Sequence, residues 1–225
     1  MKIKGDNFMI KKCYMIALLF LLPLTFLFSA FQVSATSQEH NRNITCNPLT
    51  TKLKMEERRL WSEHVFWTRN LIISDIDNLA DKEAVLQRLL RNQDDIGNSI
   101  KPYYGDKAGN ELTKLLRDHI LIAVKVVDAA KKGETKVLEK NNKEWYQNAN
   151  DIATFLSKAN PNLSKTELKQ MLESHLQFIT EEVGARLKKD WPTNIAATDK
   201  GERHMLKFAD ILANGIVKQF PSKFK

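Results

Sequence analysis

The sequence predicts an all-α protein, a helical bundle built from three tandem antiparallel helical hairpins. From Met55 onward, apolar residues recur at intervals of three and four, with no sustained two-residue alternation and no Asn-Gly or Asp-Gly turn. A frame of apolar residues around a histidine also recurs at nearly constant spacing, at His64, His119 and His175. Repetition of this kind is typical of a protein assembled from copies of one supersecondary unit.

Residues 1–35 are predicted to be a signal peptide. Four lysines precede an apolar stretch that runs from Met15 to Phe28, and Val33-Ser34-Ala35 is a small-residue cleavage site. The apolar stretch is short for a membrane span, which needs roughly 20 residues. We therefore predict an extracytoplasmic protein, secreted or at the cell surface, whose uncleaved form would keep residues 1–35 as an N-terminal membrane anchor. Residues 36–53 are polar and aperiodic, and are predicted to form a flexible tether.

The net charge limits the classes of binding partner, and the cysteine content limits the disulfides that the chain can form. Removal of residues 1–35, with four lysines and one aspartate, lowers the net charge from +8 to +5. No cluster of Lys and Arg is interleaved with aromatic residues, so nucleic acid is not a predicted partner, whereas weak association with an anionic cell surface is compatible with the charge. Cys46 is the only cysteine after Ala35, which excludes an intrachain disulfide. The sequence does not indicate an oligomeric state.

Residues 54–221 are predicted to form a single helical-bundle domain with three hairpin repeats. Breaks are expected at Pro102 to Gly105, after Gly133, before Pro161 and at Trp191-Pro192. Four of the six predicted helices begin and end at about 55–78, 108–131, 136–158 and 201–219, while the second follows a cap at Asp81 and the fifth a cap at Ser164. The short connections favour antiparallel neighbours.

An Asp-Ile pair follows each histidine frame by about thirty positions, at Asp95, Asp151 and Asp210. At a rise of about 1.5 Å per residue, His64 and Asp95 fall at similar heights on the two helices of one hairpin. His119 and Asp151 are related in the same way in the next hairpin. We therefore expect His64 to face Asp95 and His119 to face Asp151, each across its own hairpin, and the three histidines and three aspartates to meet if the hairpins pack side by side.

Three interpretations of these residues are open. The first is an exported binding or interaction module that holds one divalent metal, Zn, Fe, Mn or Cu, because imidazole and carboxylate ligands on facing helices suit such ions. The second is a metal-dependent extracytoplasmic enzyme that uses the same residues. The third is a purely structural bundle whose buried His–Asp pairs fix helix register. The candidate metal ligands are His64, His119, His175, Asp95, Asp151 and Asp210, with Asn92 and Asn148 as residues that orient them.

Three stretches carry a resemblance to a known family. They are Leu89–Gly97 (LLRNQDDIG), Lys101–Gly105 (KPYYG) and Gln219–Pro221 (QFP). With them, the chain from about 60 to 220 resembles a family of small exported all-helical proteins of bacilli and related bacteria. Members often have automatic labels such as glycosyltransferase or acetylglutamate kinase, but this sequence has no nucleotide-sugar or ATP-binding architecture. The resemblance implies an all-helical fold and export, and it implies no catalytic residue.

Overall fold

The computed structural model describes residues 47–225, so the predicted signal peptide, tether residues 36–46 and Cys46 lie outside the described residues. Within 47–225 the chain forms helices and no strand, which confirms the all-α prediction. None of these helices is long and apolar enough to cross a membrane. The elements are α1 (Pro48–Ile76), α2 (Lys82–Lys132), α3 (Thr135–Ala159), α4 (Lys165–Leu187), α5 (Trp191–Gln219) and a short 3-10 helix (Pro221–Phe224).

Helix α1 begins at Pro48, ahead of the predicted start at Met55, so residues 48–53 are helical and not part of a tether. The reason is an N-cap at Asn47, whose side-chain oxygen accepts hydrogen bonds from Leu49 N (2.9 Å) and Thr50 N (3.1 Å). Pro48 occupies the first helical position, where a missing N–H costs nothing. Polar composition alone therefore did not distinguish the start of this helix from a tether.

The predicted break between Pro102 and Gly105 is confirmed at Gly105, which interrupts α2 with φ 81° and ψ 169°. Side chains other than glycine rarely adopt this backbone conformation. The chain continues as a helix directly after it, without a loop. At the end of α2, Gly133 adopts a left-handed conformation (φ 69°), as the sequence Lys131-Lys132-Gly133 predicts.

Helix α5 begins at Trp191, well before the predicted start near residue 201. The sequence Trp191-Pro192 was expected to break the chain, but here it starts a helix. The Asp190 side chain accepts a hydrogen bond from Thr193 N (3.2 Å) and caps the helix. Proline in the first helical turn removes no intrahelical hydrogen bond, so Pro192 is compatible with this start.

The helices pack around a continuous apolar core. Helix α1 packs against α2 and α5, α3 against α2 and α4, and α4 against α5. Each fully buried leucine, isoleucine or phenylalanine stabilises the fold by roughly 1.5–3 kcal/mol relative to an exposed one. The largest such side chains include Leu60, Leu89, Ile96, Leu112, Ile152, Leu168, Leu176 and Phe208. A smaller apolar cluster lies between α1 and α2, at Leu71, Val85, Leu89, Leu90 and Ile120.

Candidate functional site

The three repeated histidines lie together in the core, each on a different helix. His64 is on α1, His119 on α2 and His175 on α4, and their side chains are all but excluded from solvent. The ring centre of His175 is 5.5 Å from that of His64 and 6.3 Å from that of His119. Side chains that are far apart in the sequence therefore form one cluster of imidazoles.

Aromatic residues enclose the cluster. The Trp61 ring centre lies 5.6 Å from that of His64, one helical turn away on α1. On α3, the Trp145 ring centre lies 5.4 Å from that of His119. Each histidine sits on the apolar stripe of its helix, so the same periodicity that buries the core brings the imidazoles inward.

An amide on α3 holds the His119 ring. His119 Nδ1 is 2.7 Å from Asn148 Oδ1, while Asn148 Nδ2 donates to the carbonyl of Leu115 (3.1 Å). Because the amide nitrogen is engaged with that carbonyl, the oxygen faces the ring and Nδ1 must carry the hydrogen. The Nε2 atom of His119 then has its lone pair free.

The contact between His64 and its neighbouring amide, Gln93, is weaker than that between His119 and Asn148. Gln93 Nε2 is 3.3 Å from His64 Nδ1, but the same nitrogen donates to Leu89 O (2.9 Å) and to Asn92 Oδ1 (3.0 Å). An amide nitrogen has two hydrogens, so it cannot serve all three acceptors. Gln93 Oε1 has no hydrogen-bond partner within residues 47–225. The position of the His64 proton is therefore not fixed by its neighbour, in contrast with that of His119.

Burial keeps the imidazoles neutral at ordinary pH. Desolvation lowers the pKa of His64 to about 3, with a further contribution from the nearby His119. Desolvation likewise lowers the pKa of His119 to about 4. The pKa of His175 also lies well below its ordinary value, through burial and the proximity of the other imidazoles. Protons therefore do not compete for the ring nitrogens at neutral pH.

A cavity of about 30 Å³ adjoins the three histidines, with room for roughly two water-sized species. Its walls are mostly apolar, but several buried polar atoms on lining residues have no hydrogen-bond partner within residues 47–225. Such atoms are rare in folded proteins, and a water, ion or ligand in the cavity would satisfy them. They include Thr68 Oγ1, Trp145 Nε1, His175 Nδ1 and Asp75 Oδ2.

The three predicted aspartates lie outside this cavity. Asp95 is half-buried in a surface groove beside Glu56 and Arg59. Asp151 is exposed and accepts a hydrogen bond from Gln147 (2.9 Å). Asp210 forms an ion pair with Arg58 (2.6 Å). The hydrogen-bonding partners of His64 and His119 are thus the amides of Gln93 and Asn148, and not the aspartates that the sequence analysis paired with them.

The three repeated segments instead share a hydrogen bond between a side chain of one helix and a backbone carbonyl of the neighbouring helix. Asn92 donates to the carbonyl of Leu60 (3.0 Å), and Asn148 to that of Leu115 (3.1 Å). The ring nitrogen Nε2 of His204 lies 2.7 Å from the carbonyl of Met171. Each of these carbonyls belongs to the residue four positions before one of the buried histidines. The structure therefore aligns His204 with Asn92 and Asn148, and the three residues are equally spaced along the chain.

Sequence reasoning missed two residues of the cavity, the partner of His64 and one residue of the repeated hydrogen bond, and a signal existed for all of them except Gln93. Asp75 and Thr68 lie on the same helical stripe as His64, at eleven and four positions further along. His204 follows His175 at the same interval at which Asn148 follows His119. Gln93 has no such signal, because nothing in a single sequence separates it from the polar residues beside it.

Within residues 47–225, no group of three or more histidine, cysteine, aspartate or glutamate side chains is positioned so that it could hold a metal ion. The chain matches no protein-family model, no curated protein and no solved structure. The family resemblance of residues 60 to 220 therefore stays a prediction.

Proposed function

We propose that this protein is an exported helical binding module whose ligand is a divalent transition-metal ion at His64, His119 and His175. The observation that carries the proposal is the convergence of three buried, neutral imidazoles from three helices on one cavity. The basic and apolar segments of residues 1–35 and the small-residue cleavage site that follows them support export.

The spacing of the rings supports this ligand. With Zn–N bonds of about 2.0–2.1 Å, three imidazoles on one ion have ring centres roughly 5–6 Å apart. The separations from His175 are 5.5 Å to His64 and 6.3 Å to His119. Binding would need rotation of the rings toward a common point, together with a small inward shift of His119.

The surroundings of His119 also support metal binding. A histidine ligand commonly donates its second N–H to an amide, carbonyl or carboxylate that fixes its orientation. Asn148 has this relation to His119. For His64, exchange of the oxygen and nitrogen positions of the Gln93 amide would place Oε1 beside Nδ1 and supply the same acceptor, at the expense of the bonds to Leu89 and Asn92.

The donor set favours some ions over others. Asp95, Asp151 and Asp210 lie away from the cavity, so the ligands closest to one another are all imidazole nitrogens. Imidazole suits Zn²⁺, Cu²⁺ and Fe²⁺, whereas Mn²⁺ prefers carboxylate and other oxygen ligands. We therefore expect Zn²⁺ or Cu²⁺ to bind and Mn²⁺ to bind weakly.

We also propose that the bundle consists of three tandem antiparallel hairpins, each with one of these histidines on its first helix. The break at Gly105 supports this division, since it separates the half of α2 that bonds to α1 from the half that bonds to α3. The repeated bond from Asn92, Asn148 and His204 supports it as well, with one such bond in each hairpin.

The proposal can be tested by thermal unfolding of protein prepared without a histidine tag, with chelator and then with Zn²⁺, Cu²⁺ or Mn²⁺. An ion that binds only the folded state at a hundredfold excess over Kd stabilises it by about 2.7 kcal/mol. His119→Ala should abolish this gain. His204→Ala is the matched control, because His204 bonds to a backbone carbonyl outside the cavity, and it should keep the gain. A wild-type midpoint that no ion raises contradicts the proposal.

The second candidate is a structural role, and the repeated helix-to-carbonyl hydrogen bonds favour it. Under this alternative, the histidines and amides fix helix register without a ligand. Chelator and metals would then leave the wild-type midpoint unchanged, while His119→Ala would still cost about 1–3 kcal/mol because Asn148 loses its partner.

A further inference from the structure

The histidine cavity is lined on one side by residues that follow α1 toward one end of the bundle. His64, Thr68, Ile72 and Asp75 all line it, and they share one stripe of the helix. Eleven residues at about 1.5 Å per residue place Asp75 roughly 16 Å from the level of His64. The opposite wall, on α2 from His119 to Val127, follows the same direction.

Asp75 lies between the cavity and the surface. Its side chain is only 2% exposed, yet it lines the cavity and forms ion pairs with two lysines that reach solvent. Lys82 Nζ is 2.8 Å from Asp75 Oδ1, and Lys131 Nζ is 3.7 Å from the same oxygen. Lys82 is also paired with Asp128, at 3.2 Å.

The remaining walls between the histidines and Asp75 are apolar apart from Thr68. On the side facing α2, Leu71, Leu89 and Ile120 belong to a tightly packed cluster. A hydrated ion or a water molecule would have to displace these side chains to cross there. At the Asp75 end, it would have to displace the side chains of Lys82 and Lys131, whose heads are already in contact with solvent.

We infer that water and small cations reach the three histidines through the Asp75 end of the cavity, and that the Lys82 side chain covers this opening. Asp75 is the first group that an arriving cation meets, in exchange for the Lys82 ammonium. The inference concerns access to the same cavity as the proposed metal site, but it does not depend on which ligand binds there.

The probe for the test is D₂O, which is small enough for the cavity. Exchange of the imidazole Cε1 hydrogen for deuterium, followed by mass spectrometry, reports how readily water reaches each histidine. Lys82→Ala should accelerate exchange at His119 and His175 by about two- to fivefold, the range expected for the loss of one partly exposed ion pair. His204 serves as an internal reference, and its rate should stay unchanged.

Arg88→Ala is the matched control. Arg88 is on the same helix as Lys82, and it pairs with Glu63 of α1 at 3.0 Å beside the apolar wall. It should leave the cavity histidines unaffected. Acceleration by Arg88→Ala but not by Lys82→Ala would place the opening on the other side and overturn the inference. Equal acceleration by both, or no acceleration by Lys82→Ala, would overturn it as well. A protein that binds no metal would still give a clear result, so failure of the proposed function is a separate outcome.

Discussion

Two buried polar regions of the same core differ in how completely their hydrogen bonds are satisfied. The histidine cavity contains Thr68, Trp145 and His175, each with a buried polar atom that has no partner within residues 47–225. The second region surrounds Glu57 and Tyr104, beside a cavity of about 20 Å³. None of the residues that line this second cavity has such an atom in the described part of the chain.

The second region contains two separate sets of hydrogen bonds. Ser99 donates to Glu57 (2.9 Å), while Tyr104 donates to Gln219 (3.0 Å) and accepts from Asn160 (2.8 Å). The first set joins α1 to α2, and the second joins α2 and α5 to the C-terminal end of α3. Residues that line the histidine cavity, by contrast, have several buried polar atoms without a partner within residues 47–225, and a bound ligand would satisfy them.

The two regions also respond to pH in opposite ways. Burial raises the pKa of Glu57 from 4.5 to about 7, so the folded protein binds this proton more tightly than the unfolded chain does. Burial lowers the pKa values of His64 and His119 from 6.5 to about 3 and 4, so the unfolded chain binds those protons more tightly. As the pH falls, Glu57 therefore stabilises the fold between pH 7 and 4.5, whereas the histidines destabilise it from about pH 6.5 downward.

The largest predicted effect is the loss of stability that the buried histidines cause on acidification. In Glu57→Gln, with chelator present, acidification from about pH 7 to pH 5 should cost roughly 2 kcal/mol of unfolding free energy for each of His64 and His119, with a further loss from His175, whose pKa is also lowered. In the wild type the loss should be smaller by about 2 kcal/mol, because Glu57 takes up a proton. Urea unfolding at a series of pH values measures both. Parallel pH profiles for the two proteins would show that Glu57 does not titrate in this range.

The next effect isolates the Glu57 region. At about pH 8, Glu57→Gln should stabilise the protein by roughly 2–3 kcal/mol, because a neutral amide replaces a carboxylate whose ionisation burial opposes. Glu56→Gln is the matched control, on the exposed side of the same helix and paired with Arg59, and it should change little. Chemical denaturation of both variants measures these changes in the free energy of unfolding. Destabilisation by Glu57→Gln would contradict the prediction and would mean that the carboxylate has a cationic partner.

A smaller effect tests the equivalence of the repeats. Asn92→Ala and Asn148→Ala each remove a bond to a backbone carbonyl, and each should destabilise the fold by about 1–3 kcal/mol. Asn148→Ala should also lower the pKa of His119 further, because the hydrogen bond to Asn148 raises it, and histidine NMR titration can follow this change. A cost near zero for either variant would remove the corresponding repeat from the register argument.

The smallest effect concerns a residue that the sequence analysis placed in the site. Asp210 forms a partly exposed ion pair with Arg58, so Asp210→Asn should cost less than about 1 kcal/mol. It should also leave any metal-induced stabilisation intact. Loss of that stabilisation in Asp210→Asn would contradict the assignment of the site to the histidines alone.

Helical periodicity is enough to predict the all-α fold and the burial of His64, His119 and His175, because each of them sits among apolar residues at three- and four-residue spacing. Periodicity could not predict the hydrogen-bond partners of these histidines. Asn148 and Asp151 differ by three positions, and both lie near the edge of one stripe. The structure buries the amide, which can satisfy its hydrogen bonds inside the core, and leaves the carboxylate in water.

The third repeat shows a different limit. Alignment on the Asp-Ile pairs selected Asp210, whereas alignment on the spacing from the histidine selects His204. A histidine and an asparagine share no side-chain shape, but both can donate to a backbone carbonyl. His204 is therefore the residue equivalent to the two asparagines, because it has the same chemical role. This equivalence becomes visible only in the structure, where His204 faces the carbonyl of Met171.

X-ray absorption spectroscopy at the zinc edge tests the central claim most directly, on protein loaded with one equivalent of Zn²⁺. The account predicts three imidazole nitrogens at about 2.0–2.1 Å from the metal, with a light-atom fourth ligand such as water, and loss of this signature in His119→Ala. A spectrum of hydrated zinc with no imidazole scattering, in a protein that is folded by circular dichroism, would contradict it.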